Sequence, residues 1–213
     1  MDYAKIKKYF SEFNWKIPAV LIVIGLITIA AVVGIFFIAG AVLYIVLKLK
    51  GKPTDQGYDS ECSSHAASMS NRALSKLGVD EDEVKEIAPI SFDGYCYSGF
   101  DLSKLGKDNK WRTNKYQSVQ LFFSPNEVHV YTYTFTTTED KKTEATDVYF
   151  YKDIVSVSTT TDTTKIDGKD VEFECFKLTT AGGTALEVSL RDVDGAQRSI
   201  NAMRQLLRAK KQA

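Results

Sequence analysis

The sequence predicts an α+β protein with an apolar helical segment near its start. Three observations carry this: 31 uncharged residues from Ile17 to Leu47, seven strand-like runs between Ile90 and Arg191, and one amphipathic run from Ala196 to Leu207. The 213 residues suffice for one ordinary domain, or for one small domain plus an anchor. A composition of 44% hydrophobic and 25% charged residues excludes a wholly disordered chain.

The 27 basic and 27 acidic residues cancel, but not evenly along the chain. Residues 1–53 carry Lys5, Lys7, Lys8, Lys16, Lys48, Lys50 and Lys52 against Asp2 and Glu12, a net +5. Residues 195–213 carry five basic residues and no acid, again +5, which leaves 15 bases and 25 acids, or −10, for residues 54–194. An acidic body repels a polyanion, so nucleic acid is not an expected partner.

Within Ile17–Leu47 only Thr28 and Tyr44 offer a hydrogen-bonding side chain, and Pro18 sits at the start, where a helix tolerates it. The run is too long for the apolar core of a cleaved signal, about 7–15 residues. Residues 17–47 are therefore expected to be a transmembrane segment, with the lipid bilayer as a partner and the cell membrane as location. Two arrangements fit. A single helix would be about 46 Å long against a hydrocarbon core of about 30 Å, and so would need strong tilt. A helical hairpin turning near Gly34 would have arms of about 21 Å; lysines on both flanks suit it, whereas the lack of a polar central turn does not.

Ahead of the run, Tyr3, Ile6, Phe10 and Phe13 fall at i, i+3, i+7 and i+10. Residues 1–16 read either as an amphipathic helix lying on a membrane interface, with Trp15 and Lys16 as anchors, or as the solvated start of the membrane helix. Residues 48–58, with the turn-forming run Gly51-Lys52-Pro53-Thr54-Asp55-Gln56-Gly57, read as a linker. Residues 59–88 read as a helical segment: Cys62, Ala66, Met69, Ala73 and Leu77 share one face, Gly78 closes the helix, and Asp80 with Glu83 resembles a capping box.

Residues 89–213 read as a sheet domain with a closing helix. Strands are expected over 90–97, 110–123, 127–138, 146–151, 154–161, 171–180 and 185–191, because Thr, Val, Tyr and Phe dominate there. Turns at Pro125-Asn126 and Gly182-Gly183 make the sheet antiparallel. Twelve threonines between 132 and 164 suit exposed strand faces. In the last helix, Ala196, Ile200, Met203 and Leu207 form an apolar stripe suited to covering the open end of a sheet.

That order, with Tyr151–Val157, the Phe176–Leu190 hairpin and Ala196–Leu207, resembles the bacterial pleckstrin-homology-like domains of membrane proteins. The resemblance covers about residues 88–209. It implies a seven-stranded antiparallel part-open barrel capped by a C-terminal helix, and it assigns no ligand. Eukaryotic relatives of the fold often grip phosphoinositides with a Lys, a gap, then a basic residue two before an Arg. Lys104, Lys110 and Arg112 follow that loose pattern, and Lys107 and Lys115 lie beside them. The five are candidate lipid-binding residues. Asp101 and Asp108 dilute the cluster, so a merely solvated loop remains an alternative.

Enzyme chemistry is thin. Cys62 and His65 have metal-like spacing without a second ligand pair, and no phosphate-binding or nucleophile motif occurs. Cys62, Cys96 and Cys175 are an odd number of thiols without framework spacing, which suits a reducing compartment. The expectation is a non-enzymatic protein with no cofactor and no metal. It would be a membrane-anchored adaptor or interaction module on the cytosolic face; the alternative is a structural accessory subunit of a membrane complex.

Overall fold

The computed structural model describes residues 1–28 and 33–212. The chain divides into two compact units, Asp2–Tyr58 and a second running from Asp59 onwards.

The first unit begins with α1 (Tyr3–Phe10), capped by the Asp2 carboxylate accepting from the Lys5 amide at 3.0 Å. Two apolar helices follow, α2 (Lys16–Ile27) and α3 (Val33–Leu49), and they pack on each other. Their close approach depends on glycine: a Cβ on Gly25 would lie 2.6 Å from Ile38 and 2.9 Å from the Gly34 carbonyl. Gly34, near which the hairpin alternative would have turned, is inside α3; the centre of the run, 29–32, lies outside the described residues.

No helix among the described residues is long and apolar enough to cross a membrane. At 1.5 Å per residue, the 12 residues of α2 span about 18 Å and the 17 of α3 about 25 Å, short of a core of about 30 Å. This corrects the expected transmembrane helix or membrane-crossing hairpin over 17–47. The apolar run is divided between two helices, and neither has the length.

The expected 48–58 linker is partly helical, because α4 (Asp55–Ser70) starts at Asp55. A short α5 (Ala73–Leu77) ends at Gly78, and the Asp80–Glu83 capping box forms, with the Asp80 amide donating to Glu83 at 3.2 Å. It opens only a single 3₁₀ turn.

Nine strands follow among the described residues. β1 (Ile90–Tyr95), β4 (Lys115–Phe123), β5 (Glu127–Thr136) and β6 (Lys141–Phe150) form an antiparallel sheet in the order β1-β4-β5-β6. β2 (Ser103–Leu105) and β3 (Trp111–Thr113) form a small hairpin. β7 (Ile154–Ile166), β8 (Lys169–Thr180) and β9 (Gly183–Ser189) form a third sheet, its first hairpin turning on Asp167-Gly168. The seven-stranded part-open barrel is therefore corrected to open sheets of four, two and three strands. A 3₁₀ turn at Tyr151–Asp153 separates β6 from β7, and each begins or ends its own sheet.

The central strands β4 and β5 of the four-stranded sheet are buried on both faces, whereas the edge strand β6 is largely exposed. One face carries Phe92, Val119, Leu121, Phe123 and Val130 into a core shared with Phe176, Leu178 and Val188 of the three-stranded sheet. α6 (Val193–Gln212) closes this core through Ala196, Ile200, Met203 and Leu207, the stripe read from the sequence. The opposite face presents Tyr116, Tyr131, Tyr133 and Phe135. There His65 of α4 meets Phe135 edge-on, with ring centres 4.6 Å apart, and Ser70 is hydrogen-bonded by Gln120. Of the Thr-rich stretch, Thr143, Thr146, Thr161 and Thr163 are exposed as expected, but Thr137 and Thr138 are buried.

Candidate binding cleft and the Arg112 ion cluster

At one end of the second unit, β1 runs beside β9 and the two sheets part to leave a cavity of about 610 Å³. One wall is Tyr95, Cys96, Lys115 and Gln117; the facing wall is Asp162, Phe173, Cys175 and Glu187. A second cavity, about 550 Å³, shares Tyr95, Tyr97 and Phe173 with the first and extends to Lys110, Trp111, Arg112 and Arg191. Tyr97 stacks near Phe173 at 4.4 Å and donates its hydroxyl to the Trp111 carbonyl at 3.1 Å.

Arg112 lies at the floor of the second cavity, only 2% exposed. Its Nε and Nη2 donate to the two oxygens of Asp59 at 2.7 Å each. Nη1 and Nη2 donate to Asp108 at 2.8 and 2.7 Å, and Nη1 also to the Lys110 carbonyl at 3.2 Å. Asp59 accepts a further bond from the Tyr95 hydroxyl. Hydrogen bonds from the guanidinium hold the Asp108 carboxyl well below the usual carboxylate range.

The five sequence-predicted lipid-binding residues are therefore not one cluster. Lys104 stands opposite Arg112 on the β2–β3 hairpin, Lys107 is exposed in its turn, and Lys110 is exposed on the rim of the second cavity. Lys115 belongs to the first cavity. Arg112 faces two carboxylates, so the outward positive charge of this hairpin is that of its lysines. Of the predicted interface residues, Ile6 is buried, Tyr3, Phe10 and Phe13 are half-buried, and Trp15 and Lys16 are exposed. α1 ends at Phe10, so Phe13 and Trp15 lie beyond it; their rings meet edge-on at 4.6 Å. The apolar side of α1 is covered within its own unit, where Tyr9 stacks on Tyr58 at 4.4 Å and donates to Asp55 at 2.8 Å.

The cleft thiols are not activated. Burial pushes Cys96 up to about 11, with Lys115 pulling back part of the shift. Burial, then the carboxylates of Asp162 and Glu187, push Cys175 up to about 12. Protonated thiols are weak nucleophiles. Asp162 Oδ2 accepts from Lys177 Nζ at 2.8 Å, and that bond holds its carboxyl low. Reactive atoms of Asp162, Cys175 and Glu187 all lie within 4.8 Å of one another. Sequence reading missed this group because its members sit on three strands, and it missed Asp59, which is 53 residues from Arg112.

No known protein family, no curated protein and no solved structure matches the chain. The likeness to pleckstrin-homology-like domains accordingly rests on element order, strands followed by a covering helix.

Proposed function

We propose that the chain is a non-enzymatic interaction module attached to a lipid surface, with its paired apolar helices dipping into the acyl layer from one side and the cleft of its sheet unit open to a partner. The observation that carries this is the hydrocarbon left uncovered on α2 and α3. Val20 is 55% exposed, Leu26 59%, Phe36 74% and Leu43 59%. Lone exposed apolar residues are ordinary on a protein surface, but a contiguous pair of helices apolar on every side is not. Lys5, Lys7 and Lys8 precede the pair, Lys16 opens it, Lys48 lies in its last turn and Lys50 and Lys52 follow it, which suits two ends held at one anionic surface. Insertion from one side needs no spanning length. Cys62, Cys96 and Cys175 form no disulfide among the described residues, which favours the reducing side of such a membrane.

Flotation of the full chain with vesicles tests the reading. The chain should rise with vesicles and stay with them at about 1 M salt, where charge is screened within about 3 Å. A Leu26→Ser, Phe36→Ser, Leu43→Ser variant with unchanged circular dichroism should remain in the dense fraction. A wild-type chain that stays behind as a defined oligomer would overturn lipid attachment and show the helices covered by protein.

A further inference from the structure

We propose that Asp162, Cys175 and Glu187 form a site for a zinc-type divalent cation, which enters by displacing the Lys177 ammonium. The proposal goes beyond lipid attachment and does not rest on it.

Register brings the three together. On β8, Cys175 is followed two residues later by Lys177, on the same face of the strand. Asp162 of β7 stands opposite Phe173, two residues before the cysteine, and Glu187 of β9 stands opposite Lys177, two residues after it. The carboxylates thus flank the thiol diagonally, one from each neighbouring strand, within reach of long side chains. With ligand atoms within 4.8 Å of one another, a contraction of about 1 Å would bring them to the separations of a tetrahedral shell, given metal–ligand bonds of about 2.0–2.3 Å. Three protein ligands with a fourth position open to space is the arrangement of zinc sites that bind an exchangeable group. Here the open position faces the 610 Å³ cleft.

A second observation shows that the place attracts positive charge. Lys177 Nζ lies 2.8 Å from Asp162 and 3.6 Å from Glu187, so a cation is already held between the carboxylates. It is a point charge on a flexible stem and can swing aside. Binding balances as follows: the thiol loses its proton to solvent, a sulfur–metal bond forms, and Lys177 keeps its charge. Two carboxylates, one thiolate, one divalent cation and one ammonium then sum to zero. The sulfur ligand selects zinc, cadmium or cobalt over magnesium and calcium, which take oxygen ligands.

Cadmium and cobalt are the probes, because their thiolate bonds give charge-transfer bands in the ultraviolet. Cadmium titrated into the detergent-solubilised full chain should produce one thiolate band at one equivalent. Cys175→Ser should abolish it, whereas Cys62→Ser and Cys96→Ser should keep it. Asp162→Asn and Glu187→Gln should each weaken binding about tenfold or more, and Lys177→Met, by removing the competitor, should tighten it by a similar factor. Magnesium should not compete. Absence of the band from a folded wild-type chain, its survival in Cys175→Ser, or unchanged affinity in Lys177→Met would overturn the site and leave a lysine-bridged ion pair.

Discussion

Arg112 shows how one side chain changes meaning between sequence and structure. Along the chain it closes a basic run from Lys104; in the fold it is buried and turned inward to Asp59 and Asp108. A guanidinium offers five donors in a rigid fork, which suits two carboxylates where a lysine would satisfy neither fully. His65 underwent a similar change. In the sequence it stands at a metal-like spacing from Cys62, yet in the fold its ring packs against Tyr133 and Phe135. Burial lowers its pKa; the N-terminal amine and Lys142 lower it further, while Glu61 and Asp140 pull the other way. A folded pKa below the unfolded value means that the neutral ring favours the fold. That stability is present above about pH 6.5 and is lost as pH falls through the depressed folded value. Urea unfolding at about pH 7 and pH 5 should show a weaker fold at the lower pH, and His65→Phe should reduce the difference. An equal pH dependence in the variant would place the titration elsewhere.

Among the elements, α6 and the β1–β9 seam decide whether the second unit closes. Ile200 and Met203 are fully buried, whereas Arg208 is exposed. Ile200→Asp should lower stability by about 3 kcal/mol or more, because it buries an unpaired carboxylate. Arg208→Asp should change it by less than about 0.5 kcal/mol. Equal melting temperatures for Ile200→Asp and the parent would mean that α6 does not dock. At the seam, the Arg191 amide donates to the Asp93 carbonyl at 3.0 Å and Ser189 donates its hydroxyl to the Tyr95 carbonyl. A Cβ on Gly94 would fall on the Ser189 carbonyl, which is backbone and cannot step aside cheaply. Gly94→Ala should therefore cost about 1–3 kcal/mol and loosen the cleft. A melting temperature unchanged from the parent would show that the strands can part without cost.

Over the whole molecule, charge is sorted along the chain, with basic ends around a body of net −10 at residues 54–194. Lipid attachment should therefore have two components. Burial of α2 and α3 resists salt, while the lysines add a part that salt removes. Each lysine near an anionic surface is worth about 1 kcal/mol, so Lys104→Ala, Lys107→Ala and Lys110→Ala together could remove at most about 3 kcal/mol. The acidic body opposes even this. Full-chain binding to anionic vesicles should weaken in the triple variant at low salt and match the parent at high salt. Identical binding at low salt would leave the β2–β3 hairpin as solvated surface.

What the sequence determined by itself was local. A helix repeats every 3.6 residues, so the α6 stripe and its burial were readable from spacing alone, as were the antiparallel strands and the Asp80–Glu83 box. Even there local reading had limits. It merged β3 with β4 across Asn114, whose buried side chain accepts from the Asp101 and Leu102 amides, and it missed the short strand β2. Tertiary structure decided the rest, because it depends on residues far apart in the chain. The apolar run left one long helix and a hairpin equally open, and only the fold shows two short helices packed on each other. No strand pattern showed that α4 would cover the second face of the four-stranded sheet, or that β6 and β7 would part rather than close a barrel. The cleft is the clearest case: Asp162, Cys175 and Glu187 meet through the register of three paired strands, and register is set by long-range pairing that no local spacing encodes.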